Sequence, residues 1–219
     1  MTCVLIALTS HSELGDTGRS TGFYASEAAE PWDVFRTAGF EVELVSVAGG
    51  KPPVDGVDEA DPVQQRFFEA VDLDHTRTAA ELNAADYDAI FYAGGHGAMW
   101  DFAGAKDLAA LAAAIYERGG VVAAVCHGPA ALVELRLSDG RYLVDGKNVA
   151  AFTNAEEAAV GLTEVVPFLL ADELTSRGAN HRPAADFTDQ VVTDQRLVTG
   201  QNPASARSAA TAVTALLKG

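Results

Sequence analysis

Apolar residues along this chain gather in short unbroken runs, and the runs alternate with longer stretches of helical spacing. Cys3 to Leu8 and Val121 to Val125 are apolar throughout, which marks strands buried on both faces of a parallel sheet. Glu41 to Val47 is a third strand, apolar at Val42, Leu44, Val45 and Val47, and Asp88 to Ala93 is a fourth that ends in Gly94-Gly95. Between them lie a helix over Ser26 to Ala38 stopped by Gly39, and one opened by Asp61-Pro62 that carries Phe67, Phe68 and Val71. An Ala/Leu helix over Asp107 to Arg118 closes at Gly119-Gly120. This rhythm predicts an α/β fold in three layers, with a mostly parallel central sheet covered on both faces and right-handed crossovers.

The pattern changes after the middle of the chain. Asp145-Gly146 reads as a hairpin turn between short strands. Asn154 to Gly161 and Pro167 to Leu174 read as helices, with a break at or before Pro167. Gln190 to Val192 and Arg196 to Val198 flank a tight turn at Thr193-Asp194-Gln195, and Pro203 to Lys218 reads as a terminal helix. No repeat, low-complexity tract or linker divides the chain, so residues 1–219 are expected to form one domain.

Composition narrows the partners. Hydrophobic residues are 48% of the 219, enough for a deep core, and the formal charge of -16 sets the surface against phosphate backbones, so no nucleic acid is expected. The two cysteines, Cys3 and Cys126, have no disulfide-scaffold spacing. The apolar stretch Val4 to Leu8 is short for a signal peptide, and no segment has the ~20 apolar residues of a membrane span. A cytoplasmic protein without membrane contact is the expectation.

The chemistry concentrates at Cys126. It stands where the Val121 to Val125 strand meets His127-Gly128-Pro129, with Pro129 suited to the first turn of a helix. That junction is the geometry of a nucleophile elbow, which lifts the side chain above the sheet toward a helix N-terminus and predicts a lowered thiol pKa. His127 stands next to it as the acid/base, and needs a carboxylate to fix its tautomer; Glu156 and Glu157 both qualify, and both would equally decorate a helix start. Glu27 opens the first helix and is the other carboxylate of interest. Gly94 and Gly95 end a strand, where glycine permits close backbone approach; their N–H groups and that of His127 suit an oxyanion hole.

Five stretches then resemble one family. They are Thr21-Gly22-Phe23-Tyr24-Ala25-Ser26-Glu27 with Pro31, Gly49-Gly50-Lys51-Pro52-Pro53-Val54-Asp55, Ala93-Gly94-Gly95-His96-Gly97, Ala123-Ala124-Val125-Cys126-His127-Gly128-Pro129-Ala130, and Leu197-Val198-Thr199-Gly200-Gln201-Asn202-Pro203-Ala204-Ser205. Together they resemble the ThiJ/PfpI superfamily, and within it the heat-shock-type glutathione-independent glyoxalases (glyoxalase III). The resemblance implies a flavodoxin-like, class I glutamine amidotransferase-like fold. It implies Cys126 as nucleophile, His127 as acid/base, Glu27 against the sulfur, and Glu157 as the third triad member. The implied reaction converts methylglyoxal to D-lactate through a hemithioacetal, with Glu27 or His127 moving the proton from C1 to C2. No cofactor and no metal are expected, the partner is a small 2-oxoaldehyde, and a homodimer is expected by analogy. A stress-response chaperone or a cysteine redox sensor is the alternative. One departure is Glu30, where the branch often has His before the matched Pro31.

Overall fold

The computed structural model describes all residues, 1–219. In chain order the elements are β1 (Cys3–Leu8), β2 (Phe23–Tyr24), α1 (Ala25–Thr37), β3 (Glu41–Ser46), β4 (Val54–Asp55), α2 (Pro62–Ala70), β5 (Ala89–Tyr92), α3 (Ala98–Asp101) and α4 (Lys106–Glu117). There follow β6 (Val121–Val125), β7 (Asn148–Val149), α5 (Asn154–Ala159), α6 (Leu170–Ser176), β8 (Asn180–His181), β9 (Val191–Asp194), β10 (Leu197–Gly200) and α7 (Ala206–Lys218). Six strands form the main sheet in the order β3-β1-β5-β6-β10-β9, all parallel except β9 against β10.

The alternation within the strands divides the core in two. Val4, Ile6 and Leu8 face α1 and α7, packing with Phe35, Phe91, Ala209 and Val213. Cys3, Leu5 and Ala7 face the other layer, with Ile90 of β5 and Leu108, Leu111 and Ile115 of α4. Both faces of β1, β5 and β6 are therefore apolar, as the unbroken runs predict. Each fully buried Leu or Ile contributes about 1.5–3 kcal/mol of transfer free energy, and the central strands supply many such side chains.

Three predicted elements differ in the structure. The turn after Cys126 is a short 3-10 turn over Gly128–Leu132 and not an α-helix. It is buried throughout, hemmed between β5, α3 and α6, and this confinement leaves no room for a longer helix. Asp145-Gly146 does turn the chain, with Gly146 at φ +75, but no hairpin forms there. The next strand, β7, instead pairs in parallel with the distant β8, Asn148 opposite Asn180. The final hairpin joins β9 to β10 further along the chain than the pattern suggests, with Gln195 at φ +58 in its turn. No helix is long and apolar enough to cross a membrane.

Candidate active site

The sheet register brings the predicted residues to one end. Tyr92 of β5 pairs with Ala124 of β6, so Gly94 and Cys126, each two residues beyond that pair, come out side by side. Cys126 has φ +60, a left-handed conformation that costs a non-glycine residue about 1–2 kcal/mol. The elbow is fastened on both sides to keep it: Cys126 N–H donates to the Gly200 carbonyl at 2.9 Å, and the Cys126 carbonyl accepts from Phe152 N–H at 3.0 Å.

From the sulfur, hydrogen bonds run in one line. Cys126 Sγ lies 3.3 Å from His127 Nδ1, and His127 Nε2 lies 2.8 Å from Glu157 Oε2. Glu157 reaches His127 because Thr153 starts α5 with a capping box that turns its first residues inward. Glu156 is the capping partner and points away from His127. Its Oε2 accepts from Thr153 N–H at 2.9 Å, while its Oε1 accepts from Phe187 N–H at 2.7 Å, Asn202 Nδ2 at 2.8 Å and Gln201 Nε2 at 3.1 Å. The Thr199-Gly200-Gln201-Asn202 stretch thus anchors the start of α5 from the end of β10, a role not visible in the sequence.

Glu27 closes the other side. It lies in the first turn of α1, fully buried, and its Oε2 accepts from Gly94 N–H at 2.9 Å. That N–H is therefore not free for the oxyanion role expected of it, and the N–H groups of Gly95 and His127 remain at the sulfur. Gly94 has to be glycine: a Cβ there would run into this carboxylate oxygen and the Val125 carbonyl. Glu27 Oε1 has no hydrogen-bond partner, and the Cys126 thiol is the side chain that favours the ionised form of this carboxyl.

The electrostatics divide these groups into two kinds. Burial pushes the Glu27 carboxyl up to about 8, so it keeps its proton at neutral pH. Burial, then the Glu27 charge, push the Cys126 thiol well up, although the backbone N–H groups of Gly95 and His127 favour its thiolate. The lowered thiol pKa expected from the elbow is therefore not met: the short 3-10 turn supplies little dipole, and burial beside a carboxyl outweighs it. Burial and the neighbouring His96 hold His127 down at about 4, so its ring is neutral. Burial raises the Glu157 carboxyl too, but hydrogen bonds from His127 and His96 outweigh it and hold it at about 2. Cys3 lies in β1, remote from this chemistry, and burial pushes its thiol up to about 11.

Two side chains that the sequence pattern did not assign to the site also join it. His96 Nε2 lies 3.0 Å from Glu157 Oε1, and its ring sits 4.1 Å from that of His127. The Gly-Gly-His-Gly stretch draws attention to its backbone, and the histidine within it is the available signal. Phe187, 49% exposed at φ +58, packs against Phe152, whose ring lies 4.3 Å from His127. It extends outward the apolar cover that Phe152 gives His127. His96, His127 and Glu157 bring side-chain N and O atoms within 4.8 Å of one another, but the Glu157 oxygens accept from Nε2–H of both rings, so these atoms are engaged in hydrogen bonds with one another and not turned toward a cation.

A buried elbow cysteine with an adjoining histidine, at the end of a parallel sheet flanked by helices, defines an α/β protein with a candidate cysteine-histidine site. The chain belongs to the DJ-1/PfpI family, whose model matches residues 20–216. It is 39% identical to the glutathione-independent glyoxalase HSP31 of Saccharomyces cerevisiae, over 94% of each chain. It is 36% identical to glyoxalase 3 of Candida albicans, again over 94% of each. Among solved structures, the Candida albicans glyoxalase III superposes with a TM-score of 0.90 at 34% identity, over 98% of this chain and 97% of that one. The Rapid Encystment Protein 24 KDa of Francisella tularensis superposes with a TM-score of 0.95 at 35% identity, over 99% of both chains.

Proposed function

We propose that this chain is a glutathione-independent glyoxalase that converts small 2-oxoaldehydes to 2-hydroxy acids, methylglyoxal to D-lactate. The observation that carries the reading is the convergence on one sulfur of a neutral imidazole, a protonated carboxyl and two backbone N–H groups. The relatives from Saccharomyces cerevisiae and Candida albicans bear this activity in their names.

Cys126 gives its proton to His127 Nδ1 as its sulfur bonds to the aldehyde carbon, C1. Ionised Glu157 steadies the imidazolium through Nε2–H. The N–H groups of Gly95 and His127 receive the new oxyanion, which takes the proton from His127 and leaves a neutral hemithioacetal. His127 is then free to remove the C1 proton. Glu27, protonated at neutral pH, is the acid that serves the C2 oxygen as the enediol forms. Return of a proton from His127 to C2, and of the C1 hydroxyl proton to Glu27, gives the 2-hydroxy thioester. Water hydrolyses it to lactate and frees the thiol. The internal redox change uses only substrate atoms, so the chemistry calls for neither glutathione nor a nicotinamide.

The test is turnover of methylglyoxal by the purified protein without glutathione, with D-lactate measured stereospecifically. Cys126→Ser should abolish it, and Cys3→Ser should leave it near the wild-type rate. Near-native turnover by Cys126→Ser would end the covalent reading. We further propose that the protein is a homodimer, as the family resemblance suggests; a 22.8 kDa species in sedimentation velocity would contradict it.

A further inference from the structure

We propose that His96 is a second catalytic base, the one that activates water to hydrolyse the thioester on Cys126. This rests on the glyoxalase reading and adds to it a division of labour between two histidines.

Glu157 shares its two oxygens between two imidazoles, Oε1 with His96 Nε2 and Oε2 with His127 Nε2. An ionised carboxylate only accepts hydrogen bonds, so both Nε2 atoms carry hydrogen. With hydrogen on Nε2, the nitrogen of each ring that can take up a proton is Nδ1. The Nδ1 of His127 faces the sulfur at 3.3 Å and is committed there. The Nδ1 of His96 makes no hydrogen bond within the protein, which leaves a second base with the same tautomer fixed by the same carboxylate.

Access separates the two rings. The His96 side chain is 20% exposed, whereas those of His127 and Glu157 are 0% and 4%. Cys126 and Glu27 are buried as well. His96 and Phe152 both cover His127, with ring centroids 4.1 Å and 4.3 Å from it and 6.0 Å from each other. Acylation needs no water, and a buried base suits it. Hydrolysis needs one water from outside, and His96 is the base of this cluster that meets solvent.

In the hydrolytic step the water oxygen bonds to the thioester carbonyl carbon and its proton passes to His96 Nδ1. The tetrahedral intermediate collapses, the C–S bond breaks, and the sulfur leaves with the electron pair. The released acid ionises to lactate. The sulfur regains one proton and His96 loses one, both by exchange with solvent.

The experiment is rapid-quench intact-protein mass spectrometry with methylglyoxal, on wild type, His96→Gln and His96→Asn. Either amide offers an N–H to Glu157 but has no basic nitrogen, and near-ultraviolet circular dichroism checks the fold of each. Steady-state turnover should fall on the order of 100-fold. The variant should meanwhile carry one lactyl group on Cys126, formed in a burst, and hydroxylamine should release it. A wild type inactive on methylglyoxal would overturn the glyoxalase reading itself. An active wild type, with slow variants whose Cys126 stays unmodified at steady state, would overturn the role of His96 alone. So would variants that keep wild-type turnover.

Discussion

Replacing Glu27 by Gln should make the protein more stable in mild alkali, its thiol easier to ionise, and its turnover slower. The carboxyl ordinarily titrates near 4.5, and burial in the folded protein pushes it up to about 8. Between those values the folded state holds a proton that the unfolded state has released. Stability that is fully present below pH 4.5 is therefore lost progressively as pH rises through about 8. At about 1.4 kcal/mol per pH unit, the loss is on the order of 5 kcal/mol. Glu27 is fully buried, so solvent screening takes nothing from this figure. Gln stays neutral at every pH, keeps an oxygen for the Gly94 N–H, and turns an amide N–H toward the sulfur. Urea unfolding of both proteins across this range should give matching stabilities near pH 4.5 and a gap of several kcal/mol in favour of Glu27→Gln above pH 8. Iodoacetamide alkylation should show the thiol ionising at lower pH in the variant, because burial remains but the carboxylate repulsion is gone. Turnover should fall roughly 100-fold with loss of the acid at the C2 oxygen. A stability difference independent of pH would refute the buried-acid argument. An unchanged thiol titration with unchanged turnover would reduce Glu27 to a helix-start carboxylate.

The remaining predictions concern the two glutamates of α5 and the histidine between sulfur and carboxylate. Glu157→Gln should lower kcat roughly 10²- to 10⁴-fold, since an amide cannot hold both imidazoles in the required tautomer; kcat within a factor of a few of wild type would refute this. Glu156→Gln should keep the turnover of each folded molecule but lose about 1–3 kcal/mol of stability, read by urea unfolding, because its amide meets donors from Thr153, Phe187, Gln201 or Asn202. His127 should stay neutral by NMR at about pH 5.5 and protonate near 4. Unfolding free energy should accordingly fall as pH drops from 6.5 toward 4, by about 3 kcal/mol at about 1.4 kcal/mol per pH unit, and a His127 titration near 6.5 would overturn the assignment.

The features legible in the sequence are the local ones. Val121 to Val125 announces a strand buried on both faces, and a cysteine at its end beside His-Gly-Pro announces an elbow, because both depend on neighbours in the chain. The turn after Cys126 is misread because its 3-10 form comes from the elements packed around it and not from Pro129. The pairing of β7 with β8 is invisible for the same reason, since Asn180 is far along the chain from the turn at Gly146. The thiol pKa fails most instructively. A helix-terminus argument uses only the residues immediately after Cys126, whereas burial and the carboxyl of Glu27 come from distant parts of the fold. His96 could be read as a loop residue until α5 brought Glu157 to it.

That raised thiol pKa bears on the choice among cysteine chemistries. The ion pairs and hydrogen bonds of the site join Glu157 to His96 and His127, Glu27 to Gly94 and Cys126 to His127, and bring no lysine or arginine to them, so the site offers a thiolate no fixed cation. At rest the sulfur therefore keeps its proton, and a protonated thiol is slow to oxidise. That is a poor setting for a sensor whose signal is oxidation at neutral pH. It does suit an enzyme whose electrophile is strong. The aldehyde carbon of a 2-oxoaldehyde accepts a sulfur nucleophile readily, so the proton need leave for His127 only as the C–S bond forms. The imidazolium then balances the charge within the pair for that moment, with ionised Glu157 behind it. An amide would make the opposite demand: a strong nucleophile at the start and an acid placed at the leaving nitrogen. The site holds its acids at the sulfur and its open base at the solvent side, and this order fits addition to an aldehyde and then hydrolysis of a thioester.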